Sequence, residues 1–271
     1  MIKRDYVAIF SDLDGTLLDD NKNITDKTSS AIRKLLNNNF DFVFVSARGP
    51  MAIYPIFEKY NFRCPIIAYS GALILDENQN ILYSKGFDKN ICQDIIDFIE
   101  DNNLDCVWNI YTTNKWLVKD RNHIEIIKEE RAVMAESSIG DISFLDKDEQ
   151  VSKMLIVCNV TKTIEIENKL KERFPFLTIV KSSNFQIEVM EKGISKGNGI
   201  KLYCQNKNID INQTIGFGDH YNDLNMLETV KLPFIMLNGP EDLKKKIKNI
   251  TPKDNNHDGV YYALKELNII D

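Results

Sequence analysis

The apolar run Tyr6-Val7-Ala8-Ile9-Phe10 does most to constrain the fold. It is of strand length and carries no charge, which suits a strand buried on both faces, and such strands belong to parallel sheets covered by helices. Strand-like and helix-like segments then alternate. Thr25 is a suitable N-cap for a helix with Ile32, Leu35 and Leu36 on its inner stripe. Phe42–Val45 reads as a second strand and Pro65–Tyr69 as a third. Between them Met51–Tyr60 reads as a helix that Pro55 is expected to kink or interrupt. This alternation predicts parallel pairing with right-handed crossovers.

The pattern changes near residue 84. A helical stretch contains Ile95–Ile99, and two strands, Cys106–Tyr111 and Lys115–Val118, are joined by the short hairpin link Thr112-Thr113-Asn114. A helix at Thr163–Arg173 precedes strands at Leu177–Lys181 and Phe185–Val189. Hairpins beside helices predict an α+β unit with an antiparallel sheet. From residue 191 the first pattern returns, with helices at Lys196–Asn206, Asp223–Val230 and Glu241–Ile247 and strands at Thr214–Phe217 and Phe234–Leu237. The expected architecture is a Rossmann-like α/β core of residues 1–83 and 191–271 with an inserted α+β domain at 84–190.

Composition removes several function classes. Of 271 residues 43% are hydrophobic, and only 12 Gly and 7 Pro are present, which excludes collagen-like and disordered chains. No apolar run approaches the ~18 residues of a membrane span. The N-terminus lacks the hydrophobic block of a secretory signal, so a cytoplasmic protein without a membrane partner is expected. Five dispersed cysteines without a C-x-x-C pair argue against a disulfide framework or a structural zinc site. The net charge is -6, and the insertion alone carries 14 basic and 19 acidic residues, so a nucleic-acid partner is not expected. Oligomeric state is left open.

Asp12-Leu13-Asp14-Gly15-Thr16 follows the first strand directly. The carboxyl ends of strands in an open parallel sheet rim the ligand crevice, and two carboxylates at i and i+2 there can approach one metal or one phosphorus. Gly15 lets the chain turn and approach a ligand. A calcium loop would need Gly at its sixth position, and here Gly is fourth. Gly216-Phe217-Gly218-Asp219-His220-Tyr221-Asn222-Asp223 repeats the arrangement after a later strand. Four carboxylates in one crevice would repel each other without a cation among them, and oxygen ligands favour Mg²⁺. Ser46-Ala47-Arg48-Gly49 opens a helix and could cradle phosphate, although Ser is also an ordinary N-cap. Lys196 begins another helix, where a cation opposes the macrodipole and asks for an anionic partner. Lys192 is near enough that spacing does not separate the two lysines.

In order and spacing, Asp12–Thr16, Ser46, Lys196 and Gly218–Asp223 resemble the four motifs of the haloacid dehalogenase superfamily. The insertion between the second and third motifs resembles the α+β cap of its Cof-type branch. Tyr69-Ser70-Gly71-Ala72, Leu224-Asn225-Met226-Leu227, Met236-Leu237-Asn238-Gly239 and Asp258-Gly259-Val260 are similar to that branch as well. Ser46 stands where Thr is more usual, Ser70 where Asn is frequent, and Gly239-Pro240 where a small residue such as Ala is common.

The resemblance implies a phosphomonoesterase acting on a small phosphorylated metabolite, with sugar phosphates the foremost class. Asp12 would be the nucleophile, forming an aspartyl-phosphate, and Asp14 the general acid and base. Asp12, the Asp14 backbone carbonyl and Asp219 would hold Mg²⁺, with Asp223 beside them. Ser46, Lys196 and Asn222, together with the Gly15 and Ala47 backbone, would hold phosphate oxygens. The cap would choose the leaving group. Trp108, Tyr111 and Trp116 either line its inner face or pack its own core, and His220 receives no catalytic role. Two alternatives share the core: a phosphomutase or phosphotransferase, and a receiver-like module that stores a phosphoaspartate. Asp14 beside the nucleophile and the cap-sized insertion weigh against storage.

Overall fold

The computed structural model describes residues 6–270. In chain order, β1 (Ala8–Ser11), α1 (Asp26–Asn37), β2 (Asp41–Val45), α2 (Pro50–Tyr60), β3 (Ile66–Ala68), β4 (Leu73–Leu75) and β5 (Ile81–Ser84) come first. The middle holds α3 (Lys89–Asp101), β6 (Cys106–Tyr111), β7 (Trp116–Val118), α4 (Ile124–Val133), β8 (Ser138–Ile139), β9 (Lys153–Cys158), α5 (Thr163–Arg173), β10 (Thr178–Lys181) and β11 (Gln186–Met190). Then follow α6 (Lys196–Lys207), β12 (Thr214–Gly218), α7 (Leu224–Thr229), β13 (Leu232–Ile235), α8 (Glu241–Lys246) and α9 (Gly259–Glu266). These elements form two compact units. The first takes the described residues through Ala47, then Phe57–Tyr83, and those from Ser195 onward; the second takes Arg48–Ile56 and Ser84–Ile194.

The first unit is built on a sheet of order β13-β12-β1-β2-β3-β4-β5. From β13 to β3 every pairing is parallel, and β4 returns antiparallel to β3. β1 lies inside the sheet, Ala8 facing Thr214 on one side and Asp41 on the other, and all four of its residues are buried. Phe10, Val43 and Ile67 pack against Ile200, Tyr203, Met226 and Leu227 of the covering helices. Thr25 holds the N-cap position of α1, although its hydroxyl donates to Asp258 and makes no capping bond; Ala31, Ile32 and Leu35 form the buried stripe while Leu36 is only half-buried. α2 runs on through Pro55, which removes a single interior donor from the helix. β13 begins two residues earlier than the sequence pattern places it. It includes Pro233, which an outermost strand tolerates because one of its edges needs no ladder bond.

The second unit has a sheet of order β10-β11-β9-β6-β7-β8, antiparallel except where β7 meets β8. Ile95 and Ile99 of α3 and Ile166 and Leu170 of α5 cover Trp108, Ile110, Ile156 and Ile187 on one sheet face. The three aromatic residues of the hairpin are all buried in this unit. Tyr111 and Trp116 stack with centroids 5.3 Å apart, and the Trp116 indole donates to Asn109 Oδ1 at 2.9 Å. Among the described residues no helix is long and apolar enough to cross a membrane.

Candidate active site

Because β12, β1 and β2 run parallel side by side, the segments that follow them leave the same edge of the sheet. Asp12, Ser46 and Asp219 are the residues immediately beyond those three strands. The Asp12 N–H bonds the Phe217 carbonyl at 2.9 Å, which carries the β1–β12 ladder one residue into the loop. Beyond it the N–H groups of Thr16, Leu17 and Leu18 all converge on the Leu13 carbonyl, at 3.3, 3.0 and 2.8 Å. Leu13, Leu17 and Leu18 are buried and anchor this tight loop. Gly15 has φ +78°, and a Cβ there would lie 2.4 Å from Asp219 Oδ2, so only glycine permits so close an approach. Thr16 Oγ1 donates to Asp219 Oδ1 at 3.3 Å.

Asp223 ties the second loop together. Its Oδ2 accepts the N–H groups of Asp219 at 2.9 Å and His220 at 3.1 Å. Its Oδ1 lies 2.6 Å from Lys196 Nζ, which also lies 2.5 Å from Asp12 Oδ1. Lys196 is the first residue of α6, and the Ser195 side chain caps that helix by accepting the Asn198 N–H. Gly71, with φ +109°, makes room for the helix end, since a Cβ there would meet the Ser195 carbonyl at 2.4 Å. Lys196, Asp12 and Asp223 are 2%, 5% and 0% exposed, so the cation that opposes the helix macrodipole is answered by two buried carboxylates. Lys192 is exposed.

One ammonium does not balance this cluster. Burial pushes the Asp12 carboxyl well above the usual range, Asp223 pushes it further, and Lys196 pulls against both. Asp219 is pushed up to about 7 by burial and by Asp223. Burial opposes the charge on Lys196, but Asp12 and Asp223 outweigh it and raise its pKa. Ligand atoms of Asp12, Asp219 and Asp223 all lie within 4.8 Å of one another. Three carboxylates so close, with one lysine among them, make a donor set of hard oxygens with surplus negative charge, which fits a divalent cation.

Asp14 differs from its neighbours: its side chain is 39% exposed and pairs with Lys22 Nζ at 2.7 Å. Ser46 is buried, and its carbonyl accepts the Ser70 N–H at 2.9 Å. Tyr69 and Ser70 are both left-handed, at φ +49° and +56°. Asn tolerates that conformation better than Ser, so the Ser70 departure falls at a strained turn beside Ser46. Ala47 is half-buried, and Asn222 is exposed in the turn between Asp219 and Asp223. The structure thus draws Asp12, Gly15, Asp219, Asp223 and Lys196 together and sets Ser46 on the same sheet edge. Thr16 and Lys22 have contacts here to which the sequence assigned no role. Thr16 is legible as part of the first motif, whereas nothing local marks Lys22.

Comparison with known proteins agrees with this geometry. The model of the haloacid dehalogenase-like hydrolase family matches residues 9–264. A provisionally named phosphatase of Haemophilus influenzae is 34% identical over 265 residues, covering 96% of this chain and 98% of that protein. Another provisionally named phosphatase, YkrA of Bacillus subtilis, is 29% identical over 267 residues, with 98% and 99% covered. Among solved structures, TM0651 of Thermotoga maritima superposes with a TM-score of 0.86 at 28% identity, covering 96% of this chain and 97% of that one. A haloacid dehalogenase-like hydrolase of Bacteroides thetaiotaomicron shares the fold with a TM-score of 0.88 at 23% identity, over 97% and 99% of the two chains. This chain belongs to the haloacid dehalogenase-like hydrolase family, in its Cof-type branch, and is a phosphatase.

Proposed function

We propose that the protein is a Mg²⁺-dependent phosphomonoesterase that works through an aspartyl-phosphate on Asp12, with sugar phosphates as its substrate class. The observation that carries this reading is the meeting of half-buried Asp219 with buried Asp12 and Asp223, the last two paired with Lys196 Nζ, at the carboxyl edge of a parallel sheet. Against burial and Asp223, Lys196 pulls Asp12 toward its ionised form, the form whose oxygen would attack phosphorus in line. As the new P–O bond forms, the bond to the leaving alkoxide breaks and Asp14 delivers its proton to that oxygen. Asp14 then takes a proton from water, whose oxygen attacks phosphorus and returns Asp12 as a free carboxylate. The partial exposure of Asp14 suits a group that meets both the leaving group and water. Asp12, the Asp14 carbonyl and Asp219, with Asp223 beside them, would hold a magnesium ion, which neutralises phosphoryl charge. Ser46, Ala47, Gly15, Lys196 and Asn222 bind the non-bridging oxygens. In this reading residues 1–83 and 191–271 are the catalytic core, and the insertion 84–190 selects the leaving group.

The test is phosphate release from a panel of phosphorylated sugars, nucleotides and cofactors, with Mg²⁺ and with EDTA, for the parent and for Asp12→Asn. The parent should turn over at least one sugar phosphate only when magnesium is present. Asp12→Asn should lose at least about a thousandfold in kcat. A variant as fast as the parent would remove Asp12 from the chemistry.

A further inference from the structure

Two motifs of the first unit take no part in the chemistry above: Met236-Leu237-Asn238-Gly239 and Asp258-Gly259-Val260. The residues in and beside them reach the loop that carries Asp12 and Asp14. Asn238 Nδ2 donates to the Gly15 carbonyl at 2.8 Å, while its Oδ1 accepts the Asn255 N–H at 3.2 Å. Asn255 is 6% exposed, and its own Nδ2 donates to the Leu18 carbonyl at 3.0 Å and to Asp20 Oδ1 at 3.2 Å. Asn256 exchanges two bonds with Asp20, at 3.0 and 3.1 Å, and Asp258 accepts from Thr25 Oγ1 at 2.5 Å. Attachments from 238 and from 255–258 thus run along the chain from Gly15 to Thr25.

These bonds add to the loop's own hydrogen bonds. Convergence of three N–H groups on Leu13 curves the loop, and toward Asp219 it is tied by the single long bond from Thr16 Oγ1 at 3.3 Å. The Gly15 and Leu18 carbonyls accept from Asn238 and Asn255. The Asn238 amide donates to Gly15 and accepts from Asn255 at once, which a carboxylate cannot do.

We propose that Asn238 and Asn255 are positioning residues for phosphoryl transfer, holding the Asp12–Leu18 loop against Asp219 through the Gly15 and Leu18 carbonyls. This rests on the roles given above to Asp12 and Asp14. A loop slack by even 1 Å would spoil in-line attack, since misplacement of that size costs about a hundredfold in rate.

The test is Asn238→Asp in the full chain. The substitution keeps the shape and the bond from Asn255 but loses the donor to Gly15, and Asn238 is exposed, so folding is spared. With p-nitrophenyl phosphate at saturating Mg²⁺, kcat should fall about ten- to hundredfold. KM should rise by no more than about threefold, because Gly15 is on this loop while Ser46, Ala47, Lys196 and Asn222 keep their places. Hydrogen exchange should quicken for amides 13–19 and nowhere else, and Tm should move by no more than about 2 °C. Asn238→Ser, neutral and too short to reach Gly15, should repeat the fall in kcat and the quickened exchange at 13–19, with the Asn255 amide added because its acceptor is lost. Unchanged kcat with unchanged exchange would overturn the proposal, as would exchange rising evenly across the chain with a lowered Tm. If the parent hydrolyses no phosphoester, the functional reading fails on its own, and exchange at 13–19 still decides whether the clamp exists.

Discussion

Lys196→Met should be expensive in the magnesium-free protein, and the expense should depend on pH. Lys196 is the ammonium paired at 2.5 and 2.6 Å with Asp12 and Asp223, and the three side chains are 1%, 7% and 0% exposed. Removing one partner of a buried ion pair costs about 3–5 kcal/mol, because a buried charge is left uncompensated. Proton uptake sets the ceiling. Keeping an ordinary carboxyl of pKa about 3.9 protonated at pH 7.5 costs about 4.9 kcal/mol, at 1.36 kcal/mol per pH unit. The same escape at pH 5.5 costs only about 2.2 kcal/mol, so the deficit should shrink as acid is added. At roughly 2–4 °C per kcal/mol for a chain of this size, a deficit of about 4 kcal/mol lowers Tm by about 8–16 °C at pH 7.5. Urea unfolding followed by circular dichroism in EDTA, at both pH values, measures the difference. A deficit under about 1 kcal/mol at pH 7.5 would show that the lysine is not the counter-charge of a buried cluster. A deficit that grows toward pH 5.5 would refute the electrostatic argument itself.

Two further outcomes follow from buried charge elsewhere. Burial raises the Asp41 carboxyl despite the hydrogen bond that Tyr203 donates to it, so above the unfolded value of about 3.9 the folded chain binds the extra proton and stability falls as pH rises. Asp41→Asn should therefore unfold at a higher temperature than the parent at pH 8 and at the same temperature at pH 3.5; an equal gain at both would contradict the shift. In the second unit Lys153 and Glu188 pair at 3.2 Å with 7% and 8% exposure. Glu188→Leu alone should cost about 3–5 kcal/mol in urea unfolding, whereas Lys153→Met with Glu188→Leu should come within about 1 kcal/mol of the parent, and a double variant as weak as the single would show that packing rather than charge dominates.

Much of this is legible in the chain, for reasons particular to each element. β1 announces itself because an unbroken apolar run ends at a pair of aspartates, and β6 and α5 have the bounds that their apolar and polar periods indicate. β9 escapes notice although Met154-Leu155-Ile156-Val157-Cys158 is as unbroken an apolar run as that of β1, so its signal is present in the sequence. α4 escapes as well, because Ile126 is its one buried residue and its charged positions show no stripe. At the site, the carboxylates are readable as motifs, but packing alone separates buried Lys196 from exposed Lys192. Contacts such as Thr16 with Asp219 and Asn238 with Gly15 span 203 and 223 residues, and no local pattern foretells them.

The place of β1 between β2 and β12 has a consequence for biosynthesis. Its flank toward β2 finds Asp41 soon after Ala8 emerges, but its other flank faces Thr214, roughly two hundred residues later. At about 5–20 residues per second a ribosome needs on the order of 10–40 s to close that gap. For all of that interval an apolar strand offers bare backbone to any passing chain. A nascent polypeptide that stalls short of Thr214 is therefore a sticky fragment with half a catalytic centre, which makes the pace of translation and the presence of chaperones part of how much enzyme a cell obtains.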